Sequence, residues 1–255
     1  MAWIIDLDGV IWLAQKPIPG SREAVDRLRR SGRQVVFVTN NSSMTVGDYR
    51  VKLESMGIAI EAREILTSAQ AAASLLDPGT SALVCAGAGV EEALAERGVE
   101  ARRDPPADAV VVGWHRDFDF DRLTAACRGV WGGSRLVATN EDATYPTPDG
   151  LLPGAGSILA AVVRATGRDA EVAGKPHQPI VDLLAQRAGS VDMVVGDRLD
   201  TDGLLARRLG APFGLVLTGV TKEAPGAGAG GPDGWRPTTV AQDLSSVVAH
   251  HIDPG

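Results

Sequence analysis

The sequence has only two cysteines, Cys85 and Cys127, and they lie far apart along the chain. Neither belongs to a CxxC pair or to a Cys/His spacing of the kind that binds zinc. This scarcity favours two reduced thiols over a disulfide or a zinc site. Lysine is scarce too, at positions 16, 52, 175 and 222 alone, so each lysine can be considered individually.

Long apolar runs are also absent, and no stretch approaches the length of a membrane span. The opening MAWIIDLDG lacks the basic region and the cleavage site of a signal peptide. The net charge is −7 and the pI about 5.1, which argues against nonspecific nucleic-acid binding because that needs a basic surface. We therefore expect a cytoplasmic protein that binds neither membranes nor nucleic acids.

The chain does contain short runs rich in valine and isoleucine, which alternate with amphipathic stretches. This alternation predicts an α/β fold, a Rossmann-like core with parallel strands joined by right-handed crossovers. The predicted strands are AWIID, QVVFVTN, SALVCAGAG, ADAVVVGW, RLVATN, AEVAGK, VDMVVGD and PFGLVLTG. The segment 224–234, APGAGAGGPDG, has no periodicity, and we expect a mobile surface loop there.

Polar residues follow four of these predicted strands, at the carboxyl ends where parallel sheets bind ligands. They are Asp6 and Asp8 after AWII, Thr39 and Asn40 after VVFV, Lys175 after EVAG, and Asp197 after DMVVG, with Asp202 on the next turn. Carboxylates that converge in this way repel each other unless a cation joins them. The pattern therefore predicts a hard cation bound by oxygen, such as Mg²⁺, which would in turn attract phosphate.

The same residue types suit a two-step phosphoryl transfer. An ionised aspartate beside a metal-bound phosphoryl group can attack it and form an aspartyl-phosphate. A second carboxylate two residues on lies on the same side of an extended chain, where it could protonate the leaving oxygen and later activate water. Thr39, the backbone of the TNNS turn and Lys175 offer donors to phosphate oxygens.

Four motifs resemble those of the haloacid dehalogenase superfamily of phosphatases, in order and in separation. They are DLDGV, TNNS, GKP and GDRLDTD. The segments ATNEDATYP, GLLPGAGS and VLTGVT are similar to the class IIA, NagD-like branch, which includes 4-nitrophenyl phosphatases and glycerol-3-phosphate phosphatases. One departure is Gly203, where members of the branch usually carry isoleucine, and we expect it to loosen the first turn of a helix.

The resemblance also implies roles for individual residues. Asp6 would be the nucleophile and Asp8 the general acid/base. Mg²⁺ would be bound by Asp6, the backbone carbonyl of Asp8 and Asp197, and Asp202 would orient that site, mostly through water. The phosphate would be held by Thr39, Asn40 and Lys175.

The resemblance further implies a cap domain inserted between the second and third motifs. We expect residues 78–171 to form a small α/β cap, and residues 1–77 together with 172–255 to form a discontinuous catalytic core. The polar loops at 114–116 and 140–142 each follow a predicted cap strand, and either could face the leaving group. Closure of such a cap would exclude water and set specificity.

The sequence therefore predicts a Mg²⁺-dependent phosphomonoester hydrolase that acts on a small phosphorylated metabolite, such as glycerol 3-phosphate or a sugar phosphate. Other readings stay open: a nucleotide phosphatase or broad-specificity 4-nitrophenyl phosphatase, a phosphoryl transferase, or a phosphate-binding module without turnover. A homodimer stays open as well, since the sequence does not reveal the oligomeric state.

Overall fold

The computed structural model describes residues 1–226 and 235–252. Within these residues the strands are β1 Ala2–Asp6, β2 Trp12–Leu13, β3 Lys16–Pro17, β4 Gln34–Thr39, β5 Ile65–Thr67, β6 Ser81–Cys85, β7 Glu100–Arg102, β8 Ala109–Val112, β9 Arg135–Ala138, β10 Thr144–Thr147, β11 Gly150–Pro153, β12 Glu171–Val172, β13 Val191–Gly196, β14 Phe213–Val216 and β15 Thr239–Ala241. Every strand that the sequence predicted is present, so the α/β prediction is confirmed.

The helices alternate with these strands through most of the described chain. They are α1 Ser21–Arg30, α2 Val46–Ser55, α3 Ser68–Ser74, α4 Ala88–Arg97, α5 Phe120–Trp131, α6 Ala155–Thr166, α7 Gln178–Ala188, α8 Leu204–Leu209 and α9 Leu244–Ile252, with a 3-10 turn at Ala62–Glu64 and a π-helical turn at Leu199–Gly203. In α1 the buried residues Ala24, Val25 and Leu28 share one face, as expected of a helix that packs on a sheet. None of the helices in the described ranges combines the length and the apolar character that a membrane crossing requires.

The helices pack on two separate parallel sheets. The six-stranded core sheet has the order β15-β14-β13-β1-β4-β5, and the five-stranded insert sheet has the order β12-β9-β8-β6-β7. Strand β1 is buried throughout because it is central, which explains its unbroken apolar run. Two antiparallel hairpins, β2–β3 and β10–β11, complete the strands.

The insert sheet runs from β6 to β12, so the boundary predicted at residue 171 falls inside β12. The segment 224–234 was predicted to be a surface loop, and its residues 227–234 lie outside the described residues. Helix α9 was not predicted from the sequence. Its buried residues Leu244 and Val247 nevertheless belong to the core-sheet packing.

Candidate active site

The register of the core sheet brings the first two motifs and the fourth to one edge. Asp6, the last residue of β1, pairs with Val38 of β4, and Ile5 pairs with Val195 of β13. Thr39 therefore lies at the end of β4, next to the end of β1. Asp197 follows directly after β13, which neighbours β1 on the side opposite β4, so its side chain also lies at the carboxyl ends of the strands. Parallel pairing thus explains why residues nearly 200 positions apart meet.

Lys175 reaches this edge from the loop between β12 and α7. Its Nζ lies 2.6 Å from Asp6 Oδ1 and 2.7 Å from Asp202 Oδ1, and all three side chains are buried. Burial alone would lower the pKa of Lys175, but the carboxylates of Asp202 and Asp6 raise it above its ordinary value. The lysine is therefore held as a cation between two carboxylates.

The carboxylates of Asp6, Asp197 and Asp202 form an acidic cluster, with one oxygen of each within 4.8 Å of the others. One ammonium group cannot neutralise three buried carboxylates, so the cluster is short of positive charge. Burial raises the pKa of Asp6 well above its ordinary value although Lys175 opposes the shift, and burial together with Asp202 raises the pKa of Asp197 to about 7. Oxygen donors with this charge deficit fit a divalent hard cation.

Asp197 is fixed by the chain segments that pack against it. Its carboxylate accepts a hydrogen bond from the backbone N–H of Val220. A Cβ on Gly9 would lie 2.6 Å from Asp197 Oδ2, and a Cβ on Gly219 would lie only 1.8 Å from it. Gly9 also has a φ of +83°, which disfavours other residues. Glycine at both positions therefore lets the backbone approach the carboxylate.

The side chain of Asp8 lies apart from the acidic cluster. Its Oδ1 accepts hydrogen bonds from Trp12 Nε1 and from the Tyr145 hydroxyl, both at 2.8 Å. Its Oδ2 accepts a longer hydrogen bond, 3.3 Å, from Thr39 Oγ1. Asp8 therefore has separate partners from Asp6, although only one residue separates them in the sequence.

Thr39 and Asn40 occupy the positions that the sequence indicated, but their side chains already have protein partners. Thr39 Oγ1 accepts a hydrogen bond from the backbone N–H of Asn41 at 3.0 Å. Asn40 accepts from the backbone N–H of Lys175 at 2.8 Å and donates to the Asp142 carboxylate at 3.1 Å. The Asn40 side chain thus connects the second motif to the third motif and to the insert, the segment from β6 to β12 that carries the insert sheet.

Asp202 belongs to the acidic cluster that we expected it to support. Its carboxylate contacts Lys175 directly and also accepts from the backbone N–H of Arg198, and its role in orienting a metal through water stays a prediction. The π-helical turn Leu199–Gly203 carries Asp202 inward, and a Cβ on Gly196 would lie 2.2 Å from the Asp202 carboxyl carbon. Gly196 therefore makes room for this carboxylate.

A small cavity of about 50 Å³ lies between the acidic cluster and the insert. Its wall on the insert side includes Trp114, Asn140, Asp142, Tyr145 and Pro146. The Trp114 and Tyr145 rings stack with centroids 5.1 Å apart. Both polar loops that the sequence singled out thus contribute residues to this wall.

Other residues of those two loops have partners elsewhere. His115 is buried, with Nε2 3.8 Å from Cys85 Sγ and Nδ1 2.9 Å from the Asp117 carboxylate. Burial raises the pKa of the Cys85 thiol to about 12 and lowers the pKa of His115, so both groups stay neutral near pH 7. Glu141 instead contacts His177 at 2.9 Å.

Among the residues of the site that sequence reasoning missed are Trp12, Tyr145 and Arg198. Arg198 lines the cavity and forms an ion pair with Asp200 at 2.8 Å. Its place within the fourth motif was a usable signal. Tyr145 and Asp8 are 137 positions apart, and no local pattern joins them.

Comparison with known families gives two matches, of which the first extends into the insert. Residues 3–100 match a haloacid dehalogenase-like hydrolase family, and residues 172–247 match a HAD-hydrolase-like family. Among curated proteins, chronophin from Mus musculus is 37% identical over 237 residues, which covers 86% of this chain and 81% of chronophin.

Solved structures of phosphatases resemble this chain over nearly its whole length. The glycerol phosphate phosphatase of Mycobacterium tuberculosis, crystallised with magnesium, is 34% identical with a TM-score of 0.87, covering 96% of this chain and 75% of that one. The p-nitrophenyl phosphatase of Archaeoglobus fulgidus is 33% identical with a TM-score of 0.88, covering 98% of both chains. These similarities agree with the family that the four motifs indicate.

Proposed function

The chain belongs to the haloacid dehalogenase-like hydrolases, as a phosphatase of the NagD-like branch, and we propose that it hydrolyses phosphomonoesters with Mg²⁺ through an aspartyl-phosphate on Asp6. The observation that carries this proposal is the placement of Lys175 Nζ between Asp6 and Asp202, with Asp197 beside them. The ammonium orients one Asp6 oxygen, which leaves the other free to attack phosphorus.

The proposed metal ligands are Asp6, Asp197 and the backbone carbonyl of Asp8. A bound Mg²⁺ would supply the positive charge that the cluster lacks and would hold its carboxylates ionised. Lys175 would hold a phosphate oxygen as well as Asp6, and the Thr39 hydroxyl and the backbone N–H groups that follow it would hold others. Asp8 would give a proton to the leaving oxygen and then take one from water.

The substrate that we propose is a small phosphate ester, with glycerol 3-phosphate or a similar short polyol phosphate first and a sugar phosphate second. The small size of the cavity favours a short leaving group over a nucleoside. Asp142 and Asn140 on the cavity wall offer polar atoms that suit a hydroxylated leaving group. The similarity to a glycerol phosphate phosphatase supports the same choice.

We further propose that residues 78–171 act as a cap over a core made of residues 1–77 and 172–255. The insert sheet and the hairpin that carries Tyr145 support this division, since they supply one wall of the cavity. The acidic composition supports a small molecule over a nucleic acid as the partner, and we propose a cytoplasmic location for the enzyme.

A phosphate-release screen tests the proposal. We expect purified protein with Mg²⁺ to release phosphate from 4-nitrophenyl phosphate and from at least one small metabolite. We expect Asp6→Asn to lower kcat by more than about 1,000-fold, since it removes the nucleophile without changing the fold. Asp121→Asn, an exposed change on α5, is the matched control and should leave kcat unchanged.

Other outcomes of the same screen would favour the other readings. Full turnover by Asp6→Asn would refute the assignment of the nucleophile. Transfer of the phosphoryl group to an added alcohol in place of water would identify a transferase. Phosphate binding without release from any ester would identify a binding module.

A further inference from the structure

The side chain of Asp8 is held unequally at its two oxygens. Oδ1 has two donors at 2.8 Å, the indole N–H of Trp12 and the hydroxyl of Tyr145, whereas among the described residues Oδ2 has the Thr39 hydroxyl alone, at 3.3 Å. An indole N–H can donate but never accept a hydrogen bond. A proton on Oδ1 would weaken that oxygen as an acceptor for Trp12 and Tyr145, so these two donors favour a proton on Oδ2.

Trp12 is well placed to impose this asymmetry. Its side chain is fully buried, although it belongs to a hairpin of two-residue strands. The ring stacks on Tyr49 with a centroid distance of 6.3 Å, and Lys52 Nζ lies 3.9 Å from its centroid. Contacts of both kinds restrict rotation of the indole and so fix the direction of its N–H.

The second donor comes from the insert, on strand β10. Tyr145 is itself oriented by its stacking on Trp114, whose Nε1 donates to the backbone carbonyl of Pro153 at 2.9 Å. Oδ1 of Asp8 thus has one donor from each side of the cavity. The Asp8 carboxyl group is held in one orientation when the insert lies where the structure places it.

We propose that Trp12 is a positioning residue for Asp8: with Tyr145 it fixes Oδ1 as an acceptor, so that Oδ2 is the oxygen that gives and takes the proton. This inference rests on the proposed function. In the first step an Asp6 oxygen bonds to phosphorus, the bond from phosphorus to the leaving oxygen breaks, and the proton on Asp8 Oδ2 passes to that oxygen. In the second step water bonds to phosphorus, the bond to Asp6 breaks, and the proton of water passes to Oδ2.

The test compares two leaving groups, because only one of them needs the proton. Trp12→Phe removes the N–H and keeps an aromatic ring. We expect its kcat/KM to fall about 10- to 100-fold for the alkyl phosphate that wild type hydrolyses best, a part of what general acid catalysis supplies. For 4-nitrophenyl phosphate, whose leaving oxygen is a stable anion, we expect a fall of less than about threefold.

The chain offers a matched control in Trp3. This residue is also a buried tryptophan, but its Nε1 has no hydrogen-bond partner within the part of the chain that the structure describes. Trp3→Phe makes the same chemical change without removing a hydrogen bond, so the ratio of the two kcat/KM values should stay at the wild-type ratio.

An equal fall for both substrates, or no fall, would overturn the proposal, since a merely structural role cannot distinguish the leaving groups. Circular dichroism and a thermal melt check the fold of Trp12→Phe. Should that variant fail to fold, Tyr145→Phe makes the comparison through the second donor, with the same selective loss expected and the same overturning results. Failure of the proposed function is distinguishable, because wild type would then hydrolyse neither ester.

Discussion

At the scale of single residues, the site depends on side chains that have little freedom to move. Lys175 Nζ bonds to two carboxylates at 2.6 and 2.7 Å, and a compact ammonium group can do so from one point, whereas the planar guanidinium of arginine could not take the same place. Gly9 and Gly219 leave space that the Asp197 carboxylate fills. Small and compact residues thus determine where the charges lie.

Gly203, next to Asp202 in the sequence, is another position where the surrounding residues leave little room for a side chain. The sequence indicated only that a glycine, where isoleucine is usual, would loosen the turn. In the structure a Cβ at this position would lie 2.9 Å from the Trp235 ring, which stacks on Phe213 at 5.7 Å. The ring of Trp235 thus covers Gly203, a contact that the sequence could not reveal because 32 positions separate the two residues.

We therefore expect Gly203→Ile to lower the free energy of unfolding by about 1–3 kcal/mol through overpacking against Trp235. Urea denaturation of the single and double variants measures this effect. Trp235→Ala should relieve part of the loss, so that the double variant is more stable than the sum of the single changes predicts. Strict additivity would mean that the indole does not oppose the new side chain.

At the scale of elements, the sequence predicted those whose pattern is local and long enough to recognise. Strands β1, β4 and β13 carry buried apolar runs with polar residues at their carboxyl ends, so both their type and their functional ends were predictable. The three-residue strands β5, β7 and β15 were not predicted, because so short a run carries little pattern. The hairpins β2–β3 and β10–β11 were missed because their strands have two and four residues, include prolines and lack alternation. These short hairpins carry Trp12 and Tyr145, which explains why both were missed.

Helix α9 was missed for another reason, since His250 and His251 made the segment resemble a tail. We expect Val247→Ala to lower the free energy of unfolding by about 2 kcal/mol, because this buried side chain packs with the residues of the core sheet. The exposed change His250→Ala should alter it by less than about 0.5 kcal/mol. Chemical denaturation of the two variants makes the comparison, and equal effects would mean that α9 does not stabilise the fold.

At the scale of the whole molecule, the acidic cluster joins segments that are distant in the sequence. Asp6 comes from β1, Asp197 follows β13, and Asp202 comes from the π-helical turn, while Lys175 enters from the end of the insert. The repulsion between these carboxylates therefore opposes the packing of several elements against one another. Removal of this repulsion should stabilise the entire core and not one loop.

We accordingly expect Mg²⁺ to raise the melting temperature above that of the protein in EDTA. A ligand that binds only the folded state at 100 times its Kd adds about 2.7 kcal/mol, which corresponds to roughly 5–10 °C for a chain of this size. Asp197→Asn removes a proposed ligand and should abolish the rise, whereas Asp200→Asn, an exposed change in the same motif, should preserve it. Differential scanning fluorimetry measures all three proteins. An unchanged rise in Asp197→Asn would show that the cation stabilises the molecule from another place, because a site without that carboxylate would no longer attract the ion equally well.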